Sequence, residues 1–149
     1  AHSRGAFVGL TDRTTRGDLF RAMIEGLDYP FLDIVKGMES SLQQSFDRFI
    51  AVGGAIKNEF WMQNKADVTG RPIEVPDVDE ACPLGAAILA GIGVGIYRDE
   101  ADALDQVWKP GRVYEPHPER RKQYEDGFGL YQELYPTLRD INHRLSASS

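Results

Sequence analysis

Apolar residues recur along this chain with two alternating periods, which predicts strands that alternate with helices. Short apolar runs at residues 6–10 and 47–52, and an alternating run at 71–75, are typical of strands. From Leu19 to Leu42 and over residues 57–68, apolar residues recur every three or four positions, which is typical of helices with one buried face. The alternation of strands and helices predicts an α/β fold with parallel strands.

Residues that start, end or bend helices set the bounds of these segments. Thr14 or Thr15 is placed to cap the first helix, and Gly70 is placed to end the second. Pro30 lies within the first helix, so we expect one long helix with a kink there. A third helix, from Asp79 to Tyr97, is apolar nearly all round, and we expect it to be buried on most sides.

The last third of the chain adds helices to this core. A short surface helix is predicted over Glu100–Val107, and an extended segment through residues 116–118 leads into the last helix. Pro136 is expected to kink or split that helix. We expect the charged run at residues 119–122 to be its solvated first turn.

Composition narrows the class of protein. The 149 residues suffice for one domain with a core, and 42% apolar and 27% charged residues are ordinary values for a globular protein. The net charge of −6 argues against a nucleic-acid partner. The longest apolar stretch, Leu84–Tyr97, is too short and too rich in glycine to span a membrane. Because Cys82 is the single cysteine, we expect no disulfide framework and a reducing, cytoplasmic environment.

No residue pattern in the sequence predicts a catalytic or metal centre. The three histidines, His2, His117 and His143, are scattered and lack the spacing of a metal site. The sequence has neither a nucleophile elbow nor a Walker phosphate loop. Trp61 can stack on an adenine, but its helical face favours packing in the core. Asp67, near the predicted end of a helix, is expected to have a structural role.

The strongest candidate for a ligand site is the segment Ala51–Asn58, which we call the glycine turn. Gly53 and Gly54 lie between a predicted strand and a predicted helix, where glycine allows a ligand to approach the backbone closely. Asn58 adds an amide that suits the edge of a base or a ribose. The residues alone leave a second interpretation open, in which the glycines serve only a tight turn.

Several segments, in the same order along the chain, resemble the FGGY family of carbohydrate kinases. Residues 5–10 with 18–25 resemble a signature of that family, and residues 52–58 resemble its adenosine motif. The other similar segments are Trp61-Met62-Gln63, Ala66-Asp67-Val68, Glu80-Ala81, residues 84–90, and Tyr114-Glu115-Pro116 with Tyr124 and Tyr131. The last of these resembles the tail of the pentulose kinase branch, which includes xylulokinase-like enzymes.

The resemblance implies an actin-like (ribonuclease H-like) ATPase fold, of which residues 1–149 would be a partial C-terminal domain that lacks its first strands. It implies phosphoryl transfer from Mg-ATP to a hydroxyl group of a small-molecule sugar, a ketopentose or related polyol. Gly53, Gly54, Ala55 and Asn58 would bind ATP, and no residue of this chain would be catalytic or bind Mg²⁺. The catalytic aspartate, the sugar site and the phosphate loop would belong to the N-terminal remainder of the same kinase.

Two other classes of function stay open beside the kinase. Actin-like domains also serve in chaperones and in filament or regulatory proteins, where ATP drives only a change of shape. The segment can also be a non-catalytic interaction module. A homodimer is compatible with each of these interpretations.

Overall fold

The computed structural model describes residues 4–78 and 80–147, which form α-helices and a small three-stranded sheet. In chain order the helices and strands are α1 (Arg16–Leu42), β1 (Phe49–Ile50), α2 (Glu59–Thr69), β2 (Ile73–Val75), α3 (Ala81–Gly93), α4 (Glu100–Val107), β3 (Arg112–Tyr114) and α5 (Arg121–Ala147). Two short 3₁₀ helices, Gly54–Lys57 and Pro118–Arg120, lie just before α2 and α5. The structure is therefore of the mixed α/β class, as predicted.

The sheet has the order β1-β2-β3, and only its first pair is parallel. Phe49 lies opposite Ile73 in the parallel pair, and Glu74 lies opposite Val113 in the antiparallel pair. Strand β3 was not predicted, so the expectation of parallel strands alone is wrong. The chain reaches β3 through a turn at residues 109–111, where Asp77 N donates to Lys109 O at 3.2 Å, and this turn brings β3 back along β2.

The predicted strand at residues 6–10 is wrong. This segment pairs with none of the three strands of the sheet, and its apolar side chains remain about half exposed or more; they are Phe7, Val8 and Leu10. A strand needs a neighbour that satisfies its backbone N–H and C=O groups. No described residue provides that neighbour here, so the apolar pattern alone does not produce a strand.

Helix α1 begins where its sequence predicts. The Thr15 hydroxyl accepts a hydrogen bond from Asp18 N at 3.2 Å, and the Asp18 carboxylate accepts one from Thr15 N at 2.9 Å. This reciprocal arrangement is a capping box, and it satisfies backbone donors that the first helical turn leaves unpaired. Of the two predicted candidates, Thr14 and Thr15, the cap is Thr15.

The two prolines inside helices do not end them. Helix α1 continues through Pro30 as the single long helix that was predicted. Helix α5 continues through Pro136, so the predicted split does not occur. Both helices are long, with 27 residues each. In α1, buried Asp28 and Leu32 lie on either side of Pro30, so packing favours continuity over the loss of one backbone hydrogen bond.

The expectation of a buried third helix is wrong for the described residues. Asp79, its predicted first residue, lies outside the part that the structure describes, and the helix forms as α3 over Ala81–Gly93. Only Gly91 is buried among its residues. Its principal neighbour is α4, which is too short to cover an apolar helix on several sides.

Helix α2 lies between two apolar clusters. One cluster joins α1, α2 and α5, and its buried members are Leu32, Val68, Tyr124 and Phe128. The other joins α2 to the sheet, and its buried members are Met62, Ala66 and Ile73. Gly70, in the left-handed conformation with φ 65°, ends α2 as predicted. The helix that follows the glycine turn is thus packed on both sides.

Candidate functional site

The glycine turn opens into a cleft at one edge of the sheet. Because β1 and β2 are parallel, the residues after each strand meet at the same edge. Gly53 and Gly54 after β1, and residues 75–78 at the end of β2, line a cleft of about 590 Å³. Residues 110–112 and Tyr114 form its third wall. Ligands of open α/β sheets commonly bind beyond the carboxyl ends of parallel strands.

The two glycines leave the space above them open. Gly53 has φ 90°, a backbone conformation that side chains other than hydrogen rarely allow, and Gly54 begins the 3₁₀ helix. A Cβ atom at either position would meet nothing within 4 Å, so packing within the described chain does not account for both glycines. This observation favours a ligand that approaches the backbone over a purely steric role in the turn.

Asn58 begins the helix after the glycine turn. The predicted start at Lys57 is two residues early, because a 3₁₀ helix ends at Lys57, Asn58 is the N-cap, and α2 begins at Glu59. Its Oδ1 accepts a hydrogen bond from Trp61 N at 3.1 Å. Its Nδ2 makes no hydrogen bond to another described residue. The fixed oxygen therefore leaves Asn58 with donor groups for an acceptor of a ligand.

The four predicted site residues do not all line the cleft. Gly53 and Gly54 line it, as do Lys57 and Glu59 on either side of Asn58. Ala55 and Asn58 themselves are not among the lining residues. Ala55 and Asn58 are sequence neighbours of residues that do line the cleft.

Arg112 connects two walls of the cleft. Its guanidinium pairs with the Glu59 carboxylate on α2 and donates to the Tyr114 hydroxyl at 3.3 Å. The hydrogen bond with Tyr114, and then the bond and charge of Glu59, raise the pKa of Arg112 above its ordinary value. Arg112 stays charged, and it ties β3 to the first turn of α2. Sequence reasoning missed this pair because its members lie 53 residues apart.

Gly111 permits the third wall to lie against the end of β2. A Cβ atom at this position would overlap the carbonyl oxygen of Val75 and would lie 2.7 Å from the backbone nitrogen of Asp77. No side chain can occupy that space without a shift of backbone. The absence of a side chain therefore sets the width of the cleft at this point.

A buried carboxylate on α1 holds the helix that follows the glycine turn. Asp28 is completely buried, and its Oδ1 accepts hydrogen bonds from Trp61 Nε1 at 2.9 Å and from Lys65 Nζ at 2.7 Å. Its Oδ2 accepts one from Asn64 Nδ2 at 2.7 Å, and Asn64 Oδ1 accepts one from the Tyr124 hydroxyl at 2.9 Å. Trp61 belongs to the packed cluster beside the sheet, which confirms its predicted role in the core.

Asp28 was not predicted to be important, although its position on α1 carried a signal. Asp28 lies on the helical face of Ile24, Leu32 and Val35, all of which are buried. A charged residue on the apolar face of a helix becomes buried when that face packs, so it needs a hydrogen-bonding or oppositely charged partner. Its partners on α2 could not be named from the sequence because they lie 33 to 37 residues away.

Asp67 has the structural role that the sequence predicted. Its buried carboxylate accepts hydrogen bonds from Gln63, His117 and Arg120. Arg120 belongs to the charged run that was expected to be solvated; its side chain is 41% exposed and also forms an ion pair that was not predicted. The buried carboxylate attracts the guanidinium, which lies 2.9 Å away. The cluster fixes the start of α5 on α2.

The lining of the cleft combines charged with apolar side chains. Ile56, Val75 and Pro76 add apolar surface beside the open backbone of the glycine turn, and Lys57 and Glu59 add opposite charges. Within residues 4–78 and 80–147, no group of three or more His, Cys, Asp or Glu side chains is arranged to hold a metal ion. Among the helices of the described residues, none has the length and hydropathy of a membrane span.

This chain is similar to carbohydrate kinases and to glycerol kinases both in sequence and in structure. Residues 1–94 match the model of the C-terminal domain of the FGGY family of carbohydrate kinases. A glycerol kinase of Dechloromonas aromatica is 40% identical over 114 residues, which cover 76% of this chain and 22% of that protein. The crystal structure of a ligand-bound xylulose kinase from Lactobacillus acidophilus has a TM-score of 0.83 at 27% identity, over 97% of this chain and 29% of that one.

A third comparison involves a nucleotide complex. The crystal structure of Plasmodium falciparum glycerol kinase with ADP has a TM-score of 0.72 at 29% identity, over 84% of this chain and 25% of that one. This chain thus spans about a quarter of the length of the proteins that it matches. The likeness to these sugar kinases confirms the predicted fold, the C-terminal portion of an actin-like ATPase domain.

Proposed function

This chain belongs to the FGGY family of carbohydrate kinases, and we propose that it forms the adenosine-binding side of an enzyme that phosphorylates a sugar hydroxyl group with ATP. The observation that carries this proposal is the open cleft above Gly53 and Gly54 at the ends of β1 and β2. The segment that resembles the adenosine motif of the family, residues 52–58, lies at this cleft. Residues 1–149 would be part of the C-terminal, ATP-binding domain.

We assign a role to each residue of the glycine turn. Gly53 and Gly54 allow the base and ribose to approach the backbone, and Ala55 contributes backbone groups beside them. Asn58 donates a hydrogen bond from Nδ2, because its Oδ1 is already used by Trp61 N. The ring nitrogens of adenine and the oxygens of ribose are acceptors that such a donor fits.

These residues would assist the reaction without contacting the reacting atoms. When bound, ATP supplies the phosphoryl group, and Mg²⁺ neutralises charge on the phosphates. Phosphoryl transfer depends mainly on positioning, so residues that hold the adenosine at a fixed depth also place the far end of the nucleotide. We propose that the Mg²⁺ ligands, the catalytic aspartate and the sugar site belong to the N-terminal remainder of the same kinase.

For the acceptor we propose a ketopentose or a related polyol. Tyr114-Glu115-Pro116, with the later tyrosines, resembles the tail of the pentulose kinase branch. Among the solved structures, the xylulose kinase covers 97% of this chain, whereas the Plasmodium falciparum glycerol kinase covers 84%. The family match favours this kinase over the chaperone-like or regulatory ATPase and over the interaction module. A reaction that consumes ATP and a small sugar fits a cytoplasmic enzyme.

Two substitutions of Asn58 test the proposal in the intact protein. Asn58→Asp keeps an oxygen that can cap α2 but removes the amide donors, whereas Asn58→Ala removes both. We expect each to raise the KM for ATP by about fivefold, the effect of one lost hydrogen bond, with a smaller change in the KM for the sugar. Only Asn58→Ala should lower the melting temperature. An unchanged KM for ATP in both variants would refute the proposed site.

A further inference from the structure

Trp61 is held through both its backbone and its side chain. Its backbone N–H donates to Asn58 Oδ1 at 3.1 Å, and its indole N–H donates to Asp28 Oδ1 at 2.9 Å. Two consecutive hydrogen bonds therefore connect the buried carboxylate of α1 with the amide that ends the glycine turn. Both act on the same residue, in the first turn of α2.

The environment of Asp28 makes this connection stiff. Lys65 Nζ and Asn64 Nδ2, each 2.7 Å from a carboxylate oxygen, complete its set of donors. The Lys65 ammonium also lies 4.3 Å from the centre of the Phe31 ring. A displacement of Trp61 would remove a donor from a charge that has no access to water, which is costly. The indole therefore has one favourable position.

We propose that Asp28 is a positioning residue for the adenosine site. It fixes the Trp61 ring, and through the Trp61 backbone it fixes the direction in which the Asn58 amide presents its donors. This inference rests on the proposed function, because it gives the Asn58 amide the nucleotide as its partner. Asp28 itself does not line the cleft.

Two matched variants of the intact protein test this role. Trp61→Phe and Tyr124→Phe each keep an aromatic ring and remove one hydrogen-bond donor from the same buried network. Tyr124 donates to Asn64, one turn further from Asn58 than Trp61, so it serves as the control. We expect Trp61→Phe to raise the KM for ATP about threefold to tenfold with an unchanged KM for the sugar. We expect Tyr124→Phe to lower the melting temperature and leave both KM values unchanged.

A third variant tests whether Asp28 and Trp61 act in one path. Asp28→Asn keeps an oxygen but loses the charge that orders the donors, so it should also raise the KM for ATP. In the double variant with Trp61→Phe, the KM for ATP should be no higher than in the more affected single variant. Multiplicative effects of the two substitutions would overturn the proposal.

The outcomes separate this inference from the proposed function. If Asn58→Asp raises the KM for ATP and Trp61→Phe does not, the positioning role of Asp28 is refuted and the adenosine site stands. If Trp61→Phe and Tyr124→Phe raise it equally, the network serves only general stability, and the positioning role is again refuted. If Asn58→Asp, Trp61→Phe and Tyr124→Phe all leave the KM for ATP unchanged, the adenosine site itself is refuted.

Discussion

The Asp67 carboxylate on α2 accepts two hydrogen bonds from His117, which lies 50 residues further along the chain. The backbone N–H and ring Nδ1 of His117 are both 2.9 Å from Asp67 Oδ1. Gln63 Nε2 lies 3.0 Å from Asp67 Oδ1, 2.8 Å from Glu115 O and 3.0 Å from His117 Nδ1. Because a carboxylate oxygen only accepts, the bond from the His117 ring to Asp67 places the ring hydrogen on Nδ1.

This cluster predicts a dependence of stability on pH. Burial raises the pKa of the Asp67 carboxyl, but the hydrogen bonds from His117, Gln63 and Arg120 outweigh burial, so the pKa lies below its ordinary value. A carboxyl with a lowered pKa in the folded state stabilises the fold above its unfolded pKa of about 3.9, and that contribution is lost as the pH falls through the folded value.

We therefore expect Asp67→Asn to lower the free energy of unfolding of the intact protein by about 1–3 kcal/mol at pH 7. The difference from the parent protein should persist at pH 5 and shrink only at a pH more acidic than the ordinary pKa of an aspartate, because the pKa of Asp67 is lowered. Denaturant unfolding curves at several pH values would measure it. A difference that already disappears between pH 7 and pH 5 would contradict the assignment, because it would indicate a group with a higher pKa.

A second prediction concerns the wall of the cleft at Gly111. Gly111→Ala places a Cβ against the backbone of residues 75–77, so we expect a loss of about 1–3 kcal/mol of stability and weaker binding of ATP. Gly129→Ala is the matched control, because a Cβ there meets nothing within 4 Å and α5 is helical. The control should stabilise the protein by about 0.5–1 kcal/mol. Equal effects of the two substitutions on melting temperature would argue against the close approach at Gly111.

A third prediction concerns the space above the glycine turn. A Cβ atom at Gly54 meets nothing within 4 Å, so we expect the fold to tolerate Gly54→Val, while the branched side chain fills the approach to the backbone. We expect affinity for ATP to fall on the order of tenfold or more, with a smaller loss for Gly54→Ala. Isothermal titration calorimetry on the intact protein would measure both affinities, and circular dichroism would check the fold. Parent-like affinity of the valine variant would place the nucleotide elsewhere.

Features that depend on neighbouring residues were predicted well. The cap at Thr15 requires only Asp18 three residues later, and Gly70 ends α2 because glycine accepts the left-handed conformation. The glycine turn was recognised for the same reason. The role of Asn58 as the N-cap of α2 was not predicted, because the 3₁₀ helix at Gly54–Lys57 moves the start of α2 to Glu59.

Features that depend on distant partners were not predictable. Residues 6–10 have the pattern of a strand, and α3 has that of a buried helix, but each needs a partner that the described residues do not provide. Strand β3 depends on a turn against residues 76–77. The roles of Asp28 and Arg112 likewise depend on partners more than 30 residues away in sequence.

The strands of this sheet have only two, three and three residues, so their backbone pairing gives the floor of the cleft little rigidity of its own. The support comes instead from α2, which packs on the sheet through Met62 and Ala66 and which the carboxylates of Asp28 and Asp67 hold against the neighbouring segments. Over evolutionary time, the strands can thus exchange one apolar residue for another at small cost. A substitution of Asp28 or Asp67 would be harder to compensate, because several hydrogen-bond donors that face the carboxylate would have to change together.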